Sequence, residues 1–370
     1  MTLGLIINPV AGIGGRVGLK GSDTEAIQRE ALRRGAEPQA QLRTAQALEV
    51  MLPMKERLEL VTAPGAMGED LARRLGFSPR VVGKLEGETT SAGDTVNAAI
   101  EMARLPVALL LFAGGDGTAR DIFTAVGTNL SVLGIPAGVK IHSAVFATHP
   151  RNAGEIAAAT LGGERINLRE GEVVDLDEEA YREGKVATRL YGYLSVPYRP
   201  HMLQNRKAPS LAADSARLEA IAAAVNEAME AGWSYVLGPG TTTRAIADRL
   251  GFPKTLVGVD VYTCETAVEL DVSEGRLLEL LKDKPAKIIV TPIGGQGFIF
   301  GRGNQQISPK VLHMVGRENI LVVSLVEKLN ALQGEPLLVD TGDPDVDAML
   351  AGYWNIIVGY RERVVYRAAS

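Results

Sequence analysis

A chain of 370 residues, 46% of them hydrophobic, is long enough for two or three domains with real cores, and its net charge of −5 argues against a general nucleic-acid binder, which would show a basic face. The single cysteine, Cys264, excludes a disulfide framework and a cysteine-based zinc site, and four histidines without an HExxH pair give no reason to expect a dedicated metal cage. No stretch approaches the ~20 apolar residues of a membrane span, and the start Met1-Thr2-Leu3 lacks the basic residues of a signal peptide, so a soluble cytoplasmic protein without a membrane partner is expected.

Leu3 to Ile7 reads as a first strand, ending in the glycine loop Asn8-Pro9-Val10-Ala11-Gly12-Ile13-Gly14-Gly15-Arg16. Ser22-Asp23-Thr24-Glu25 resembles a capping box opening a helix that stops at Gly35. A strand over Leu58–Thr62, a helix ending at Gly76, a strand at Val81-Val82 and a helix from Asp94 to Ala103, capped near Ser91, follow. Pro106 to Phe112 is a continuous apolar run, as in a parallel strand buried on both faces. It runs into Ala113-Gly114-Gly115-Asp116-Gly117-Thr118-Ala119-Arg120-Asp121, with a helix expected over Ile122–Val126 and a strand over Val132–Ile135. Strands alternating with helices predict a parallel α/β sheet whose ligand sits at the carboxyl ends of the strands.

After about residue 150 the pattern changes. An alanine-rich helix precedes β-type alternation from Arg165 to Val196, a loop from Tyr198 to Pro209 with Arg199, Arg206 and Lys207, and a long helix from Ser210 to Ala231. Trp233–Leu237 and Thr255–Val261 read as strands. A second glycine loop, Gly238-Pro239-Gly240-Thr241-Thr242-Thr243-Arg244, lies between them, and a third segment, Thr291 to Phe298, follows Lys287–Val290. The expected organisation is an α/β domain over 1–150, completed by the C-terminal tail. A β-rich domain over 151–318 carries an α/β insertion around 210–285, and the segment 319–370 returns toward the first domain.

The loop at Gly114–Thr118 has the strand-turn-helix setting in which backbone N–H groups meet a phosphate. Glycine alone there needs no more than a tight turn. An acid in an anion-binding loop makes sense if it handles a proton or faces a metal ion, and Asp116 fits a general base acting on an alcohol. Asn8, Gly12 and Arg16 are candidates for phosphate contact, with Lys20 nearby. Lys140 and His142, after the next strand, are candidates for substrate contact, as are Thr62, Gly65, Met67 and Glu69 at another strand end. Asp121 reads as a carboxylate of the first helical turn. Gly238, Gly240, Thr241, Thr242 and Thr243 read either as a helix start with hydroxyl caps or as a second anion cradle with Arg244 in reach.

Gly114-Gly115-Asp116-Gly117-Thr118 resembles the signature of the NAD kinase and diacylglycerol kinase superfamily, and Asn8-Pro9 its opening strand-end motif. Thr291-Pro292-Ile293-Gly294-Gly295-Gln296-Gly297-Phe298 is similar to the Thr-Pro-Thr-Gly-Ser-Thr-Ala-Tyr segment of NAD kinases. Taken together, the chain resembles the prokaryotic ATP-NAD kinase family, including its branch named after acetoin catabolism.

The resemblance implies an NAD kinase-like fold, ATP with Mg2+ as phosphate donor (or another donor), and NAD or a related small molecule as acceptor. It also implies a homo-oligomer. Asp116 would deprotonate the 2′-hydroxyl of the adenosine ribose, and the Gly114–Thr118 loop, with Gly117, would contact phosphates. Thr291, Gly294 and Gly295 would line the NAD site. The chain departs from the family at Gly295, Gln296, Gly297 and Phe298, and no Asn-acid pair for the second ribose is recognisable between Val173 and Tyr198. A nucleotide-binding sensor, or a kinase for a lipid or polyol hydroxyl, are the competing readings.

Overall fold

The computed structural model describes residues 1–19, 25–85, 87, 89–176, 188–204, 215–263, 268–293 and 296–370. Ser22–Thr24, Lys20, Arg206, Lys207, Ser210, Cys264, Gly294 and Gly295, singled out above, lie outside the described residues. The chain forms two compact units. The first comprises Met1–Ile13, Gly21–Leu32 and Glu37–Arg206, and the second Gly14–Lys20, Arg33–Ala36 and Lys207–Ser370. Among the described residues no helix is long and apolar enough to cross a membrane.

The first unit is built on five parallel strands: β1 (Thr2–Ile7), β2 (Glu59–Thr62), β3 (Arg80–Val81), β4 (Val107–Gly114) and β5 (Val132–Pro136). They lie in the order β3-β2-β1-β4-β5. Leu3, Leu5, Ile6, Ile7 and Leu109 to Ala113 are fully buried, which explains the unbroken apolar runs: both faces of these strands are covered.

The helices in this part of the chain are α1 (Glu25–Arg33), α2 (Ala40–Met51), α3 (Glu69–Arg74), α4 (Ala92–Ala103), α5 (Asp116–Val126) and α6 (Pro150–Leu161). α2 packs with α6 against β4 and β5, while α4 packs with α5. The cap expected near Ser91 is present: Ser91 Oγ accepts from the Asp94 N–H, and Asp94 accepts from the Ser91 N–H at 2.8 Å. The region of β alternation is one antiparallel hairpin, β6 (Asn167–Leu176) and β7 (Thr188–Tyr198). It belongs to the first unit, which therefore extends well past residue 150.

The second unit holds two sheets. One contains β8 (Ser234–Leu237), β9 (Asp260–Thr263), β10 (Val268–Glu269), β11 (Ala286–Val290) and β13 (Ile320–Val322), in the order β10-β9-β8-β11-β13, with β8, β11 and β13 parallel. The other contains β12 (Phe298–Phe300), β14 (Leu337–Val339), β15 (Gly352–Gly359) and β16 (Glu362–Ala369), in the order β12-β14-β16-β15. The tail from residue 319 belongs to this unit. Its strands are built into these sheets, because Val322, Leu337, Val339, Ile356 and Val358 share a core with Phe300, Val311 and Leu312. The strand expected over Thr255–Val261 starts only at Asp260, for a reason that lies in the Asp260 side chain described below.

Candidate functional site

In the first unit the chain adds β2 and β3 on one side of β1, then crosses to place β4 and β5 on the other. The strand order thus reverses between β1 and β4. Such a switch point leaves a crevice outside the carboxyl ends of the two strands, because the flanking connections leave in opposite directions. The Asn8 loop follows β1 and the Gly114–Thr118 loop follows β4, so the topology brings these predicted motifs together.

They are joined by hydrogen bonds. The Asn8 N–H donates to Ala113 O at 2.9 Å, and Asn8 Nδ2 donates to Thr118 Oγ1 at 3.0 Å. Asn8 Oδ1 accepts from the Val10 N–H at 3.2 Å, which turns the loop back on itself. Gly114 O accepts from the N–H groups of Ala137 and Gly138, at 3.0 and 2.9 Å, so the loop after β5 closes on the loop after β4. A Cβ on Gly138 would stand 2.7 Å from the Gly115 Cα; two glycine backbones meet where no side chain fits. Gly12 completes the cluster with φ +77°, and a Cβ there would meet the Ala137 carbonyl at 2.1 Å.

Asp116 is the first residue of α5, which therefore starts six residues earlier than the sequence pattern suggested, with Gly115 in extended conformation as its cap. The side chain is 5% exposed. Its Oδ2 accepts from the His142 N–H at 2.7 Å and lies 3.0 Å from His142 Nδ1, and its Oδ1 accepts from the Ser143 N–H at 2.9 Å. The 141–143 segment is fixed in turn. Ser143 Oγ donates to Val174 O at 2.9 Å, and Gln204 Nε2 donates to Ile141 O at 3.0 Å. Sequence reading placed His142 near substrate but had no signal for this bond, nor for Ser143 or Gln204, because the partners come from separate loops. Lys140 is half-buried on the same loop. Glu69 accepts from the Gly65 N–H and from Arg73, which hold its carboxyl below the usual range.

The second unit holds the predicted residues of the Gly238–Thr243 loop and Thr291. The helix Thr241–Leu250 follows β8, and Thr291 follows β11, the neighbouring strand. Thr241 is exposed. Thr243 Oγ1 donates to Gly238 O at 2.7 Å and lies 3.0 Å from Gly240 O, so it braces the loop from inside. Thr242 is fully buried and accepts from Lys328 Nζ at 3.1 Å, and the same ammonium lies 3.5 Å from Thr291 Oγ1. Lys328 thus sets a cation beside a helix N-terminus, where anions are favoured. No motif surrounds it in the sequence. Arg16 also belongs to this unit, where its carbonyl accepts from the Glu274 N–H at 2.9 Å.

Behind the loop, Lys254 Nζ and Asp260 Oδ2 form a 2.9 Å ion pair with side chains 0% and 1% exposed. Asp260 also accepts from the Thr255 and Asp271 N–H groups, at 3.0 and 2.8 Å. This bends residues 255–259 away from the sheet and delays β9. Burial pushes the Lys254 ammonium below its usual 10.5, and Asp260 pulls it partly back.

Among the described residues no group of three or more His, Cys, Asp or Glu side chains could hold a metal ion. A parallel sheet with glycine loops and a fixed carboxylate at its switch point is the setting in which open α/β sheets bind ligands. Residues 3–165 match the ATP-NAD kinase N-terminal domain and residues 247–368 the ATP-NAD kinase C-terminal domain, together most of the chain. The chain belongs to the ATP-NAD kinase family and is a kinase. No curated protein and no solved structure matches it in the same comparisons.

Proposed function

We propose that the protein transfers the γ-phosphoryl group of MgATP to the 2′-hydroxyl of the adenosine ribose of NAD, giving NADP and ADP, with Asp116 as general base. The observation that carries this reading is the Asp116 carboxylate, buried at the switch point and held by donors from one neighbouring loop. The acceptor hydroxyl gives its proton to Asp116 as its oxygen bonds to the γ-phosphorus, and the bond from that phosphorus to the ADP oxygen breaks. Phosphoryl transfer demands mostly positioning and charge stabilisation. Backbone N–H groups at Gly12, Gly114, Gly115 and Gly117, with Asn8 and Thr118, are assigned to phosphate contact. So are Arg16, Gly238, Gly240 and Thr241 to Thr243, joined by Lys328. Lys140 and Thr291, with Gly294 and Gly295, are assigned to the acceptor. Magnesium fits as part of the MgATP substrate, held by phosphate oxygens, since the described side chains build no cage for it.

Purified protein incubated with MgATP and NAD is expected to form NADP, read by an NADP-specific dehydrogenase. Asp116→Asn is expected to lower turnover by about 10²- to 10⁴-fold while ATP binding persists. Near-normal turnover by that variant removes Asp116 as base. Phosphate transfer to another hydroxyl compound but not to NAD removes NAD as acceptor. A nucleotide sensor is the second reading, favoured by Phe298. It stands where NAD kinases carry a tyrosine, is 1% exposed, and lies under the Arg302 guanidinium at 4.4 Å, so no phenol oxygen is offered. Tight ATP or NAD binding without any transfer would select it.

A further inference from the structure

His142 takes no part in the transfer as written, yet its ring is buried against the base. The residue is 7% exposed, and it places two nitrogens on one carboxylate oxygen: its own backbone N–H at 2.7 Å and Nδ1 at 3.0 Å from Asp116 Oδ2. Oδ1 has one donor, the Ser143 N–H at 2.9 Å. Each carboxylate oxygen has two in-plane acceptor positions. Oδ2 is therefore filled, and Oδ1 retains one.

We propose that His142 is a positioning residue for phosphoryl transfer: it fills Asp116 Oδ2 and fixes the rotation of the carboxylate, so that the remaining lone pair of Oδ1 meets the acceptor hydroxyl. The inference rests on Asp116 being the base, as proposed above. A carboxylate cannot donate, so the contact requires hydrogen on Nδ1 and leaves Nε2 unprotonated in the neutral ring. The hydroxyl proton goes to Oδ1, and the ring keeps its own proton throughout. The role is separable from loop folding. Ser143 Oγ with Val174, Gln204 with Ile141, and the two backbone N–H bonds to Asp116 all survive loss of the ring.

The test compares His142→Leu with His142→Asn, whose side-chain amide places an N–H close to where Nδ1 stood. The leucine variant is expected to lose about 10- to 100-fold in kcat, the scale of a misoriented reacting group, at nearly unchanged KM for ATP and NAD. The asparagine variant is expected to recover most of that loss. Imidazole nitrogen NMR gives a readout that needs no turnover: His142 is expected as the Nδ1–H tautomer, and as the commoner Nε2–H tautomer in Asp116→Ala. Wild-type kcat in His142→Leu overturns the inference. So does an asparagine variant no better than the leucine one, or an Nε2–H tautomer in the unaltered protein. If the unaltered protein transfers no phosphate while the ring is Nδ1–H, the proposed reaction fails and the fixed carboxylate stands.

Discussion

Asn8 is a short side chain with two jobs. It turns the loop after β1 through Val10, and it ties that loop to Thr118 across the switch point. Thr118 is 3% exposed, so removing its donor leaves a buried hydroxyl unsatisfied. Asn8→Ala is expected to cost about 1–3 kcal/mol in urea unfolding, and an unchanged midpoint would show the tie to be inconsequential. Gly12→Ala is expected to cost at least about 1 kcal/mol, since the new methyl requires both φ +77° and a 2.1 Å approach to the Ala137 carbonyl. Crystals of that variant should show the loop displaced; a loop left in place would contradict the steric reading. At this scale the sequence was informative where chemistry is local. Gly114-Gly115-Asp116 marks a glycine turn between strand and helix with an acid in it. The donors that fix the acid, His142 and Ser143, stand on another loop and come close only through the pairing of β4 with β5.

Elements were legible in proportion to how much their own residues decide them. β1 and β4 are apolar throughout because both faces are buried, and α4 carries its own capping box. α2 went unseen: Gln39, the residue before it, makes no side-chain cap, and its stability comes from packing on α6. The threonines that open the helix Thr241–Leu250 read either as caps or as an anion cradle, and two of the three hydroxyls are engaged inside the protein. The cation that contacts Thr242, Lys328, arrives from a helix far along the chain. Lys328→Met is expected to weaken ATP binding about tenfold, the scale of one hydrogen bond to a charged group, in calorimetric titration; equal affinity would take Lys328 out of the phosphate site. The Lys254–Asp260 pair gives a pH dependence. Below the depressed value of Lys254 the folded and unfolded chains both hold its proton. Between that value and 10.5 the unfolded chain holds more, so stability rises with pH there. Relative to a Lys254→Met, Asp260→Leu double variant, the protein is therefore expected to gain stability as urea titrations move from neutral pH toward 10. Parallel curves would contradict the buried-ammonium account.

For the molecule as a whole, alternation of strands and helices was enough to predict the first parallel sheet, and the scattered glycine motifs were enough to suggest the kinase family that residues 3–165 and 247–368 match. The assignment of chain segments to units depends on pairing between strands far apart in the chain. β14 pairs with β12 and β16, and β13 with β11, and none of these pairings leaves a local mark.

One such assignment bears on how the molecule is made. All five strands of the first sheet have been synthesised by Pro136, so that sheet can close while the rest of the chain is still emerging. Residues 14–20 and 33–36 are made equally early but belong to the second unit, where the Arg16 carbonyl waits for the Glu274 N–H and Gly15 for the Gln305 side chain. The second unit cannot be finished by the C-terminal half alone. Its assembly joins segments made long after the first sheet to segments made before it.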